Sequence, residues 1–237
     1  MLLLAAWQAT VVVGKVPTFV LPSPAETLHA LIVPNYRWTE NVLATAIEIF
    51  AGYGVAVVAA ILLAMIFCWF RSIEMLVMPV LVSLNMIPKV ALGPLIIVWF
   101  KYGIGPNILI TFAICFFPIV LTTSRGLREV EPDLLDLVYS LKGTRFQLFR
   151  KIQLPSALPY VFSGMKVGAI LAVVGAVVGE FLGSDRGLGY LMMQVQVNLD
   201  TPAMFMALVL ITALGVVLYG LVLLLERLVV PRDARIR

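Results

Sequence analysis

Long apolar runs alternate with short polar ones along the chain, and several of the runs have bilayer length. A hydrocarbon core about 30 Å thick takes roughly 20 apolar residues of helix. Residues 49–70, 102–124 and 201–225 reach that length without a single charge. Residues 75–100 do so if Lys89 is tolerated, and residues 160–182 if Lys166 and Glu180 sit near the ends or face protein. A sixth stretch, residues 1–21, is short and carries Lys15, so it crosses only if that lysine snorkels to the surface. The pattern predicts an all-α integral membrane protein of about six transmembrane helices, folded as one domain over residues 1–237.

The one long polar interruption in the second half, residues 131–159, predicts two short helices outside the hydrocarbon. Pro132 suits a first helical turn, where its missing N–H costs nothing, and Glu131, Asp133 and Asp136 put negative charge near the positive end. Leu134, Leu137, Val138 and Leu141 recur at helical spacing until Lys142-Gly143 interrupts them. Thr144 followed by Gln147 fits a capping box opening a second helix with Phe146, Phe149 and Ile152 towards one side, which Pro155 is expected to stop.

Composition agrees with a membrane class: 62% of the 237 residues are hydrophobic and 13% charged, against roughly 45–50% apolar in soluble domains. The net charge of +4 is unevenly distributed. With six crossings and the N-terminus inside, Arg71, Arg125, Arg128, Lys142, Arg145, Arg150, Lys151, Lys166, Arg227, Arg232, Arg235 and Arg237 collect on the cytoplasmic side. Only Lys15, Arg37, Lys101 and Arg186 lie outside. Topology therefore accounts for the basic balance without a nucleic-acid partner. Cys68 and Cys115 fall in different apolar runs and read as buried thiols.

Catalytic signatures are missing from the sequence. The single histidine, His29, cannot build a two-histidine zinc motif, and there is no G-x-S-x-G nucleophile elbow. There is no G-x-x-x-x-G-K-[ST] phosphate loop either, so the chain cannot itself hydrolyse ATP by the usual route. The polar loop is then a natural docking element, with Leu141, Phe146 and Phe149 as apolar anchors and Arg145 and Arg150 at the rim.

Inside the membrane the third run is broken by Pro79, Pro88 and Pro94, which is tolerated only where protein or a wet cavity satisfies the freed carbonyls. Asn85, Pro88 and Lys89 are therefore candidates for a translocation path, with Glu180 from the fifth run. For Lys89 the alternative is snorkelling or structural pairing; for Glu180 it is a polar anchor at the outer end. Small residues in the second run, Gly52 and Gly54 among them, read as close helix packing. Ser23 can cap a short interfacial helix, and Gly183, Gly187 and Gly189 mark an external turn.

The polar loop resembles the cytoplasmic coupling segment of the permease subunits of bacterial ABC importers, whose pattern runs from Glu-Ala-Ala through a glycine to Ile-x-Leu-Pro. Ile152, Leu154 and Pro155 match its end, and Asp136-Leu137-Val138 fall on the Glu-Ala-Ala positions. Lys142 stands where the family has its glycine, with Gly143 one place later. The stretches VPTFVLPSP, IPKVALGPLIIVWF, LFRKIQLPSALP and GLGYL extend the likeness over nearly the whole chain, towards the nitrate/sulfonate/taurine-type branch.

The resemblance implies a type I importer permease in the inner membrane with both termini cytoplasmic, and a coupling loop at about residues 125–159. It implies a second permease chain, two ABC ATPase subunits carrying the ATP and Mg, and an extracytoplasmic substrate-binding protein; this chain itself binds no cofactor. The solute implied is small, anionic or heterocyclic. Residues 1–21 lack the basic region and cleavage site of a signal peptide, and a start later than in the relatives, or a truncation, is expected there. The alternative is an ion-coupled secondary transporter, which calls for internal repeats and membrane carboxylates, of which Glu180 is the one candidate.

Overall fold

The computed structural model describes residues 2–100, 103–130 and 132–230. Lys101, Glu131, Arg232, Arg235 and Arg237, used in the charge and capping arguments above, lie outside them. The described residues form eleven α-helices: α1 (Leu2–Val13), α2 (Pro24–His29), α3 (Trp38–Trp69), α4 (Arg71–Met86), α5 (Gly93–Phe100), α6 (Ile104–Arg128), α7 (Pro132–Ser140), α8 (Arg145–Leu148), α9 (Leu154–Gly183), α10 (Leu188–Val197) and α11 (Thr201–Val229). No strand occurs among them.

Among the described residues, four helical segments are long and apolar enough to cross a membrane: Pro34–Trp69, Ile104–Arg128, Arg145–Gly183 and Thr201–Val229. They cover all or nearly all of the expected second, fourth, fifth and sixth crossings. The third is split. α4 runs through Pro79 and ends at Met86, because Pro88 holds Ile87 in extended backbone; a 3-10 turn at Lys89–Leu92 then leads into α5. The first is represented by α1, whose 12 residues span about 18 Å at 1.5 Å per residue, well short of the hydrocarbon thickness. It ends where Lys15 takes a left-handed conformation.

α3, α6 and α9 form the centre, burying Ile49, Ala56, Ala60, Phe67, Cys115, Ile119, Val120, Ala169, Ala172 and Ala176 against one another. Glycine makes this closeness possible. A Cβ on Gly52 would stand 2.6 Å from Thr111 Cβ, and one on Gly175 would stand 2.8 Å from Thr111 Cα, so both neighbours close on the same residue of α6. Gly54 faces open space within the protomer, so its small size serves no contact here. α11 joins the trio through α9, where Lys166 and Glu226 form an ion pair at 2.8 Å. The expectation that Lys166 faces protein is met in this pair.

Ser23 caps α2 as the sequence predicts, with a full capping box in which Glu26 accepts from the Ser23 N–H at 2.7 Å. That hydrogen bond holds the Glu26 carboxyl below its ordinary range.

Candidate functional site

The polar loop folds as helix, turn, helix. α7 ends in a reversal in which the Gly143 N–H donates to Val138 O at 2.9 Å. The left-handed residue of this reversal is Lys142, at φ 52°, not Gly143. Lys142 therefore occupies the conformation for which a glycine is best suited, and Gly143 is needed for another reason: a Cβ there would stand 2.6 Å from Val138 Cγ1. Thr144 then caps α8 with both halves of its box formed, Gln147 N–H to Thr144 Oγ1 at 3.2 Å and Thr144 N–H to Gln147 Oε1 at 2.8 Å.

Pro155 does not stop the second helix. It lies in the first turn of α9, and the helix runs on unbroken from Arg145 to Gly183. The physical reason is the five-residue π turn at Phe149–Gln153, where the Leu154 N–H reaches back to Phe149 O. This widened turn immediately precedes the ring and missing N–H that a regular turn would have to absorb.

The anchors divide. Leu141 is 73% exposed and Phe146 57%, so both present apolar surface to the surroundings. Phe149 turns inward, its ring 5.6 Å from Trp69 and packed on the cluster of Ala64, Leu127 and Ala157. Asp136 and Arg150 are exposed. Arg145 lies over the Trp69 ring and donates to Trp69 O at 3.5 Å, fastening the loop to the end of α3. Between them Cys68, Leu135, Val138, Gly143, Thr144, Arg145, Leu148 and Gln153 enclose a cavity of about 310 Å³.

The four path candidates separate into two places. Asn85, Pro88 and Lys89 meet at the break after α4, where Lys89 Nζ donates to Asn85 Oδ1 at 2.5 Å and to Asn85 O at 3.2 Å. Glu180 is 2% exposed and accepts from Thr45 Oγ1 and the Gly189 N–H, enclosed by α3 and the turn before α10. A polar groove that charge counting missed lies between α4 and α6: Arg128 pairs with the buried Glu74, and a 480 Å³ cavity there is lined by both with Ser124, Arg125 and Glu129.

Sequence reasoning also missed Thr45, Glu48 and Asn107, all buried in the neighbourhood of Glu180. Counting a crossing from the first charge-free residue, Ile49, put Glu48 outside it. The signal was present: Asn41, Thr45 and Glu48 recur at helical spacing and form a polar stripe entering an otherwise apolar helix.

The profile of the family described as "Binding-protein-dependent transport system inner membrane component" matches residues 36–231. The riboflavin transport system permease protein RibX of Chloroflexus aurantiacus is 37% identical, over 99% of this chain and 88% of that protein. The formylaminopyrimidine transport permease protein ThiX of Halalkalibacterium halodurans is 31% identical, over 98% and 92%. A putative aliphatic sulfonates transport permease protein, SsuC of Bacillus subtilis, is 29% identical over 95% and 82%. Among solved structures, an inward-facing MetNI methionine ABC transporter has a chain of the same fold, with TM-score 0.67 at 20% identity over 84% of this chain and 100% of that one. The chain belongs to the family of binding-protein-dependent transport system inner membrane components: it is a multi-pass permease subunit of an ABC importer, with ATP hydrolysis carried by a separate subunit.

Proposed function

We propose that the chain pairs with a second copy of itself over two ATPase subunits that hold the ATP and Mg, and that the loop at residues 125–159 is the contact through which those subunits move it. The observation that carries this reading is the capped helix, turn and helix, with Leu141 and Phe146 left exposed on an element fastened by Arg145 to the end of α3. Asp136, Gly143, Thr144, Phe149, Arg150 and Pro155 shape or flank that contact. Closure of the ATPases on ATP would shift the loop as a rigid body and switch the path between its two open states.

The contacts of Arg128 with Glu74 and of Arg145 with Trp69 gather the basic ends of α4, α6 and α8 at one end of the molecule, which supports a cytoplasmic position for that end. A substrate-binding protein would deliver solute at the other end. Lys89 and Asn85 at the proline break favour a small anionic or heterocyclic solute, in keeping with the sulfonate, pyrimidine and riboflavin named for the relatives. The test is uptake by the reconstituted importer with its cognate binding protein, offered a panel of small anions and heterocycles. Lys89→Ala should alter uptake without loss of assembly; unaltered uptake would remove Lys89 from the path.

A further inference from the structure

The joint between α3 and α4 is one residue long. α3 ends at Trp69, α4 begins at Arg71, and Phe70 between them belongs to both. Its N–H donates to Ile66 O at 2.9 Å, and its carbonyl accepts from the Ile73 N–H at 3.0 Å and the Glu74 N–H at 3.3 Å. A single non-helical residue supplies only its own φ and ψ as soft torsions, so what moves the end of α3 moves the start of α4.

The end of α3 is held from outside the helix. The Trp69 ring lies 5.6 Å from the Phe149 ring and 6.0 Å from the guanidinium carbon of Arg145, and Arg145 Nη2 donates to Trp69 O at 3.5 Å. Arg145 and Phe149 stand one helical turn apart, joined by the hydrogen bond from the Phe149 N–H to Arg145 O. Two side chains of one turn therefore hold a single ring, and a shift or rotation of that turn reaches Trp69 at both points.

Beyond the joint, α4 is lightly packed. Glu74 is its one buried residue, paired with Arg128 at the last position of α6; Val77, Met78 and Leu81 touch the core while remaining partly exposed. Free volume adjoins the ion pair: a cavity of 480 Å³ towards Leu121 and Ser124 of α6, and one of 540 Å³ along Met75, Pro79 and Val82 of α4. At 1.5 Å per residue, Glu74 lies about 5 Å along the axis from Arg71 and about 16 Å from Asn85, which Lys89 grips at the proline break. A helix pinned at Glu74 and lightly packed beyond it turns as a lever. Taken as straight, it magnifies a displacement at Arg71 roughly threefold at Asn85.

We propose, on the coupling contact argued above, that Trp69 is a positioning residue that hands movement of the loop to α4. α4 then turns about Glu74 and Arg128 and carries Asn85 and Lys89 into or out of the path. The loop thus has two outputs: α9 receives its movement as part of the same helix, and the proline-broken segment receives it through one indole ring. Support of the loop would need the ring alone; the one-residue joint and the lightly packed arm extend its reach to the break.

The experiment uses the complete importer, with hydrogen exchange read in lipid nanodiscs on a peptide covering residues 86–92, nucleotide-free and with a non-hydrolysable ATP analogue. Lost packing alone changes exchange in both states alike, whereas a coupled element changes it between them. In the wild type the two states should differ about threefold or more. Trp69→Leu should bring that ratio close to one and lower the solute taken up per ATP in proteoliposomes about fivefold, with ATPase affinity within about twofold of wild type. Trp69→Phe, which keeps a ring for Arg145 and Phe149, should restore most of both.

Equal exchange in the two states of the wild type, a Trp69→Leu importer that keeps the wild-type ratio, or a Trp69→Phe importer no better than Trp69→Leu would each overturn the proposal. So would a loss of ATPase affinity as the sole defect of Trp69→Leu, which confines the ring to supporting the loop. Should Trp69→Leu fail to assemble, Glu74→Gln, which removes the ion pair and keeps an acceptor, decides: the ratio must fall, and an unchanged ratio refutes the lever. Full ATPase affinity in Phe146→Asp is a different failure, that of the coupling contact itself.

Discussion

Replacing Phe146 by Asp should uncouple the chain from its ATPase while leaving the permease folded. A phenylalanine side chain offers about 150–250 Å² of surface. More than half of it is uncovered here, so on the order of 100 Å² remains for a partner, worth about 2.5 kcal/mol at 25 cal/mol per Å². That corresponds to roughly 70-fold in affinity, and forcing a carboxylate into an apolar pocket adds to it. The folded chain itself loses little, because the ring packs on little of it. Phe149→Ala should behave in the opposite way: its ring supports Ala64, Leu127 and Ala157, so truncation should lower stability by about 2 kcal/mol and spare much of the ATPase affinity. ATPase titration onto matched amounts of nanodisc-embedded permease, with thermal unfolding of each variant, separates the two effects. Full ATPase affinity in Phe146→Asp would refute the placement of the contact, and an unchanged melting temperature in Phe149→Ala would refute the inward role of that ring.

Other expectations follow from single contacts. Lys142→Gly relieves a left-handed lysine and should stabilise the α7–α8 turn by about 1 kcal/mol, read as a raised melting temperature of the permease alone. Lys166→Met strands Glu226, whose side chain is 7% exposed, and should cost about 2 kcal/mol after allowance for the partial exposure of Lys166; the double variant with Glu226→Leu should recover most of it. Gly175→Leu drives a side chain into Thr111 and should cost about 1–3 kcal/mol or block insertion, whereas Gly54→Ala should be silent in the isolated chain. The Glu26 carboxyl is held low by the Ser23 N–H, so its contribution to the α2 cap is present above the ordinary carboxylate range and lost as pH falls through the lowered value; amide exchange at Ser23 should accelerate on acidification and lose that dependence in Glu26→Gln.

The membrane class, four of the crossings, the Ser23 cap and the Thr144 capping box were legible in the sequence because each depends on local rules: run length, charge and the residue types that cap a first turn. What escaped depends on neighbours distant in sequence. Pro155 looked like a terminator because a regular turn cannot absorb it, and only the π turn made in three dimensions removes the conflict. Phe146 and Phe149 shared one apolar face on paper until Trp69, far away in sequence, claimed the second ring. Thr45 and Glu180 are separated by most of the bundle along the chain, so their hydrogen bond exists only after α3 and α9 have packed.

The continuity of Arg145–Gly183 has a mechanical consequence. Thirty-nine helical residues at 1.5 Å each make a rod of nearly 60 Å, about twice the hydrocarbon thickness. One tip of that rod carries Phe146 and the other is gripped at Glu180. On the contact proposed above, a push received at the first tip would need no relay through side chains to be felt at the second; it would arrive as tilt or rotation of a single body. The irregularities of such a shaft, the π turn and the interior Pro159, both lie close to the end that carries Phe146, so on the contact proposed above flexing there would set how much of each stroke is lost before it enters the membrane. Stiffening or loosening the five residues of the π turn would then change the stroke delivered per ATP cycle without touching either the proposed contact at Phe146 or the hydrogen bonds that hold Glu180.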